Sequence, residues 1–79
     1  MKYKLIKYEG RLDFNDLNDA IRAAQFFTKK QQQLNDEYGE DFYSTVATVN
    51  TIKEDGSYHS IFLSYANSKG YSERGSVEV

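Results

Sequence analysis

The chain has 79 residues, no cysteine, one histidine and a net charge of −2, so we expect a single small domain without a disulfide or a Cys/His metal site to stabilise it. The acidic balance is a poor match to duplex DNA, whose binding proteins usually carry a strongly basic surface. The sequence has neither the roughly 20 apolar residues of a membrane span nor the apolar run of a signal peptide, so we expect a cytoplasmic protein that does not contact membranes.

The first predicted element is a strand over residues 3–8. Apolar and aromatic side chains occur on both of its sides, so the periodicity does not select the face that is buried. Gly10 indicates a turn or a bulge, after which RLDF (11–14) would continue the strand briefly.

The clearest pattern predicts a helix over residues 16–38, because apolar side chains recur there every three or four residues. Asp13 or Asn15 is suited to cap its N-terminus. Gly39 is suited to its C-terminal end, where a left-handed residue commonly terminates a helix.

Residues 42–52 (FYSTVATVNTI) and 58–66 (YHSIFLSYA) are predicted to form a β-hairpin, since KEDGS between them contains an Asp-Gly turn signal. A three-residue loop with Gly56 in the left-handed conformation pairs Lys53 with Ser57. A two-residue loop would move each side chain to the opposite face, so the longer loop is preferred. This register predicts a helix-covered face made of three pairs: Val49 with Ile61, Ala47 with Leu63, and Thr45 with Tyr65.

These elements predict an α+β fold of order β-α-β-β, in which one long helix packs on an antiparallel sheet of three strands. A sheet of four strands is the alternative. Residues 1–66 are expected to form one compact domain. Residues 67–79 are rich in Gly and Ser and are expected to form a flexible tail. The alternative is that Val77 and Val79 add a short edge strand.

The same register leaves one sheet face without a helix to cover it. An exposed apolar patch on a small domain typically marks a binding surface, so we interpret Ile52, Tyr58 and Phe62 as partner-binding anchors, with Val46 beside them. The alternatives are that the facing is misassigned or that the ends of the chain cover this face.

An acidic group made of Asp36, Glu37, Glu40 and Asp41 lies where the helix is predicted to end. Acidic residues at a helix C-terminus oppose the macrodipole, so local helix stability does not explain them. We assign Glu37, Glu40 and Asp41 to the charged rim of the partner site. The alternative is a solvated charged corner.

The helix offers a further surface. Ala23 and Phe26 broaden its apolar stripe, which makes them candidates for self-association as a homodimer. The alternative is a wide stripe that packs on a curved sheet.

The sequence lacks the patterns of catalytic and cofactor sites. His59 lies beside the hairpin turn and is expected to be half-buried, with no nucleophile and acid arranged around it as a triad. No glycine pattern matches a phosphate-binding loop, and the acidic residues lack calcium-loop spacing. We therefore expect no enzyme activity, no metal and no cofactor.

Together these features favour a non-enzymatic module that binds a protein partner and blocks a surface of it, with homodimerisation left open. One alternative is single-stranded nucleic acid bound by the aromatic face beside Lys2, Lys4 and Lys7. Another is a purely structural homo-oligomer. In size, acidity and layout the chain resembles small phage-encoded inhibitors, the anti-CRISPR proteins among them. This resemblance covers general shape and no motif, and it implies an inhibitor that occludes its partner.

Overall fold

The computed structural model describes residues 3–7, 10–38, 45–67 and 69–75. The elements are β1 (Tyr3–Lys7), β2 (Gly10–Phe14), α1 (Leu17–Tyr38), β3 (Thr45–Ile52), β4 (Tyr58–Asn67) and β5 (Gly70–Arg74). The strands pair antiparallel in the order β2-β1-β3-β4-β5, and α1 packs across one face of the sheet. The α+β class is confirmed, whereas the predicted three or four strands understate a sheet of five.

The two additional strands form the edges of the sheet. β2 folds back on β1 and places Leu12 opposite Leu5, instead of continuing the first strand. β5 comes from the segment that was expected to be a tail, and it places Tyr71 opposite Ala66. Val77 and Val79 lie outside the described residues.

The first turn of α1 is capped by Asp16. Its Oδ2 accepts a hydrogen bond from the backbone N–H of Asp19 at 3.0 Å, which satisfies one of the free donors of the first turn. The predicted caps are therefore wrong: Asp13 lies in β2 and forms an ion pair with Lys4, and Asn15 precedes the cap. Gly39 lies outside the described residues.

The core lies between α1 and the sheet. A buried hydroxyl pair joins the two layers, because Thr28 Oγ1 and Ser64 Oγ are 2.8 Å apart and Ser64 also donates to the Ala24 carbonyl at 3.2 Å. Both hydroxyl groups are thereby satisfied without water. The buried apolar residues around this pair are Leu5, Ala20, Ile21, Ala24, Ala47, Val49, Phe62 and Ala66.

The loop of the β3–β4 hairpin is the one that the sequence predicts. The backbone N–H of Lys53 donates to the Ser57 carbonyl at 2.8 Å, and that of Gly56 donates to the Lys53 carbonyl at 2.9 Å. Gly56 has a φ of +86°, a left-handed conformation that glycine adopts without a steric penalty. The loop therefore consists of three residues, and Lys53 lies opposite Ser57.

The register changes further along β4, at a β-bulge. Asn50 pairs with Ser60, but its neighbour Val49 pairs with Phe62, so Ile61 is an extra residue without a partner on β3. Every later residue of β4 is displaced by one position relative to an uninterrupted ladder, which moves it to the other face. The observed pairs are Val49 with Phe62, Ala47 with Ser64, and Thr45 with Ala66.

The bulge exchanges the faces of several apolar residues. Phe62 is 4% exposed within the core, so the prediction that it lies on the uncovered face is wrong. Leu63 and Tyr65, which were predicted to be buried under the helix, lie on the uncovered face instead. The other apolar residues assigned to that face lie there as predicted: Val46, Ile52 and Tyr58.

The chain passes close to the bulge a second time after β5. Gly75 has a φ of +116°. A Cβ at this position would lie 2.5 Å from the carbonyl oxygen of Ile61 and 2.8 Å from the Cα of Phe62. Only glycine fits this approach without displacing the backbone of the bulge.

Candidate protein-binding face

The sheet face opposite α1, here named the open face, has no described element packed on it. Its side chains form rows across the strands, because paired residues on antiparallel strands lie side by side. From the hairpin loop onward we name them the turn row (Ile52, Tyr58), the polar row (Asp13, Lys4, Asn50, Ser60), the arginine row (Arg11, Ile6, Thr48, Leu63, Arg74) and the distal row (Val46, Tyr65, Ser72).

Apolar side chains reach solvent at both ends of the open face. In the turn row, Ile52 is 37% exposed and Tyr58 is 40% exposed. At the other end Val46 is 41% exposed, and Leu63 and Tyr65 beside it are half-buried. The open face therefore presents two apolar groups, separated by the polar row.

A shallow depression of about 550 Å³ lies in the open face where β3, β4 and β5 meet. It is lined by Val46, Leu63, Tyr65, Ser72, Glu73 and Arg74. Glu73 Oε1 accepts hydrogen bonds from Gln25 Nε2 at 2.9 Å and from the Tyr71 hydroxyl at 2.6 Å. Burial and the hydrogen bond to Glu73 raise the pKa of Tyr71, so its hydroxyl stays protonated and keeps donating to this carboxylate.

The polar row satisfies its own hydrogen bonds. Lys4 forms an ion pair with Asp13, and the Lys4 carbonyl accepts from Asn50 Nδ2 at 3.1 Å. Ser60 Oγ donates to Asn50 Oδ1 at 2.6 Å, and Asn50 is only 3% exposed. A partner can cover Asn50 without leaving its amide unpaired, which is the main cost of burying a polar group.

The open face is locally basic, although the whole chain is acidic. Arg11 and Arg74 stand on the two edge strands, four strand spacings apart, or about 19 Å. Within the described ranges neither arginine forms an ion pair. Asp13 is already paired with Lys4, and Glu73, which lines the depression, bonds Gln25 on α1. The guanidinium carbon of Arg11 lies 6.0 Å from the centroid of the Tyr58 ring, a cation–π distance.

The acidic rim assigned from the sequence does not lie on this face. Glu37 is exposed on α1, on the opposite side of the sheet from Ile52 and Tyr58, so its predicted place around those anchors is wrong. Glu40 and Asp41 lie outside the described residues. Arginines border the apolar groups instead. In a strand, alternate side chains lie on opposite faces, so the positions of the arginines within GRLDF and GYSER determine their face. This inference requires knowing that both segments are strands.

Among the described side chains of α1, one aromatic ring is exposed to solvent. Phe26 is 62% exposed and makes an edge-to-face contact with Phe27, with ring centroids 5.6 Å apart. Phe27 in turn lies 4.6 Å from Lys7 Nζ. Ala23 packs against the core cluster. Of the two self-association candidates, Phe26 is the one that presents substantial apolar surface to solvent.

His59, metal binding and membrane insertion were also considered at the sequence level. His59, which was expected to be half-buried, is exposed next to the hairpin loop. Across the described ranges, no three His, Asp or Glu side chains lie close enough together to hold a metal ion, and no helix is both long and apolar enough to cross a membrane. Comparison with protein-family models, curated proteins and solved structures found no match to this chain.

Proposed function

We propose that this chain is a small, non-enzymatic protein-binding module whose open face covers a surface of a larger partner. The observation that supports the proposal is the group of apolar side chains on a sheet face that no described element covers, with Val46, Ile52 and Tyr58 between 37% and 41% exposed. Exposed apolar clusters of this kind are characteristic of interaction sites, because water contact is unfavourable for them until a partner covers them.

The arrangement of the open face fits the anatomy of a compact interface. Aromatic and aliphatic anchors usually supply most of the binding energy, and polar groups surround them. Here Tyr58 and Ile52 are the anchors at one end, Tyr65 and Leu63 are the anchors at the other, and the hydrogen-bonded polar row lies between them. Covering a surface of a partner needs no catalytic group. Small phage-encoded inhibitors of similar layout would act in the same way, by occlusion.

Affinity capture followed by reconstitution tests the proposal. The wild-type chain should retain a protein that, once purified, forms a stoichiometric complex with it in solution. Tyr58→Ser/Tyr65→Ser should lose that complex because it removes one anchor from each end of the open face. Phe26→Ser, which removes an exposed ring from the helix side, is the matched control and should keep the complex. The proposal is wrong if the control loses the partner while the tyrosine variant keeps it, or if no partner is retained.

Single-stranded nucleic acid is a second candidate ligand, favoured by one specific observation. Tyr58 carries the Arg11 guanidinium over its ring, and Tyr65 lies on the same face, so stacking surfaces and positive charge are adjacent. Bases stack on such rings and phosphates pair with such cations. Oligothymidylate binding that weakens steeply as salt rises would support this candidate, because contacts to phosphates release counterions.

A further inference from the structure

We infer that the open face recognises an acidic protein segment, in which an apolar side chain enters the depression beside Arg74 and carboxylates pair with Arg74 and Arg11. The inference rests on the proposed function and specifies the chemistry of its partner.

Both arginines of the open face lack ion pairs. Neither has a carboxylate partner among the described residues, and Arg74 lines the depression, whose other lining residues are Val46, Leu63, Tyr65, Ser72 and Glu73. A guanidinium group presents paired donors that match a carboxylate, and such charge-assisted bonds are stronger than neutral ones. A depression that combines apolar side chains with an arginine therefore suits an apolar residue next to Asp or Glu.

The acids of this chain near the arginine row have partners within the chain. The Asp13 carboxylate is neutralised by Lys4. The Glu73 carboxylate keeps its charge but accepts hydrogen bonds from Tyr71 and from Gln25 on α1. An incoming carboxylate thus approaches two cations that lack ion pairs. At physiological salt, charges further than about 8 Å away are largely screened, so the net charge of −2 does not set the field here.

The two arginines lie at different ends of the open face. The Arg11 guanidinium lies 6.0 Å from the Tyr58 ring in the turn row, next to the hairpin loop with its exposed Glu54 and Asp55. Arg74 lies away from that loop, at the depression. An acidic segment is repelled by the loop acids at the first position and not at the second, so Arg74 is its main carboxylate contact.

The spacing also distinguishes a protein segment from a nucleic acid. The backbones of the two arginines are about 19 Å apart across the sheet, a distance that an extended peptide spans in about six residues. Between them the arginine row contains Ile6, Thr48 and Leu63 and no basic residue. A nucleic acid backbone crossing this row would place phosphates over apolar side chains. A peptide with acids near its ends and apolar residues between them can reach Arg74 at the depression and Arg11 beside Tyr58.

Selection from a random peptide library displayed on phage tests the inference with a defined probe. Peptides enriched on the wild-type chain should combine Asp or Glu with Leu, Ile or Phe, and their synthetic forms should bind at least tenfold more weakly to Arg11→Gln/Arg74→Gln. The matched control is Arg22→Gln/Lys30→Gln, which removes the same charge from exposed positions on α1. This control should bind the peptides as the wild type does.

A further variant, Tyr65→Ala, separates the inference from the proposed function. The inference is overturned if the enriched peptides are neutral or basic, or if they bind Arg11→Gln/Arg74→Gln as tightly as Arg22→Gln/Lys30→Gln. The proposed function still stands in either case if Tyr65→Ala abolishes binding. Peptides that are insensitive to Tyr65→Ala contradict the proposed function as well. A library without any enriched peptide, or salt-sensitive binding of oligothymidylate to the same arginines, also overturns the inference.

Discussion

Truncation of Phe62 tests the β-bulge, because the bulge is what places Phe62 in the core and its neighbour Leu63 on the open face. Phe62 is 4% exposed, so Phe62→Ala removes a buried ring and leaves a cavity that the surrounding side chains fill only in part. Substitutions of this kind lower the free energy of unfolding by about 3–5 kcal/mol. Leu63 is half-buried, and Leu63→Ala should lower it by about 1 kcal/mol.

Urea unfolding followed by far-UV circular dichroism measures both losses. A domain of 79 residues is expected to have a free energy of unfolding of about 4–12 kcal/mol, so Phe62→Ala should remove a large part of it. With a urea dependence of about 1 kcal/mol per molar, the unfolding midpoint should fall by about 3 M or more for Phe62→Ala and by about 1 M for Leu63→Ala. If Phe62→Ala does not fold in water, the smaller truncation Phe62→Leu supplies the midpoint for the comparison.

The reverse order of losses would contradict the bulge. In an uninterrupted β3–β4 ladder Leu63 faces the helix and Phe62 faces solvent, so Leu63→Ala would be the more damaging change. Losses of equal size would also contradict the bulge, since they would require both neighbours to be buried alike.

Three further predictions follow from local geometry. Gly75→Ala should be more destabilising than Gly70→Ala in thermal unfolding, because the two glycines have φ of +116° and +117° but only the Cβ at Gly75 would meet backbone, 2.5 Å from a carbonyl oxygen; equal losses would contradict that contact. Ser57→Ala should raise the pKa of Asp55 toward 3.8, because hydrogen bonds from the Ser57 side chain and then its backbone N–H lower this pKa. The stabilisation that the lowered pKa of Asp55 gives the folded state is present above pH 3.8 and is lost as the pH falls through that lowered pKa. An Asp55 pKa that NMR titration finds unchanged in Ser57→Ala would refute this prediction. Light scattering should show concentration-dependent dimers that Phe26→Ser abolishes, because Phe26 is 62% exposed; a wild-type chain that stays monomeric would contradict self-association through the helix.

The sequence predicts the local structure of this chain better than its long-range register. The helix and the loop closed by Gly56 follow from short-range signals, namely 3–4 spacing and an Asp-Gly turn. The bulge has no such signal. On a strand with apolar residues at Ile61, Phe62 and Leu63, one inserted position is compatible with the pattern, and it reverses the facing of everything after it.

The edge strands and the arginines on them were not predicted for a related reason. GRLDF and GYSER are short and polar, so hydrophobic periodicity does not identify them as strands, and only pairing with β1 and β4 does. Without them Arg11 and Arg74 have no assigned face. Glu37 was assigned to the rim around Tyr58 because an acid at a helix C-terminus opposes the macrodipole, whereas the fold separates the helix from the open face by the thickness of the sheet.

The bulge also bears on how the chain tolerates changes of length. Ser60 lies on the open face and Phe62 in the core, so joining them directly would leave a regular alternating strand with every other pairing unchanged. Loss of Ile61, or of its neighbour Ser60, should therefore shorten β4 without rotating the side chains beyond the bulge, whereas loss of a residue after the bulge moves side chains to the wrong face. A scan of single-residue deletions along β4 should show tolerance at the bulge, at Ser60 and Ile61. Deletions in descendants of this sequence would be expected to accumulate there, and the open face would keep its rows while they do.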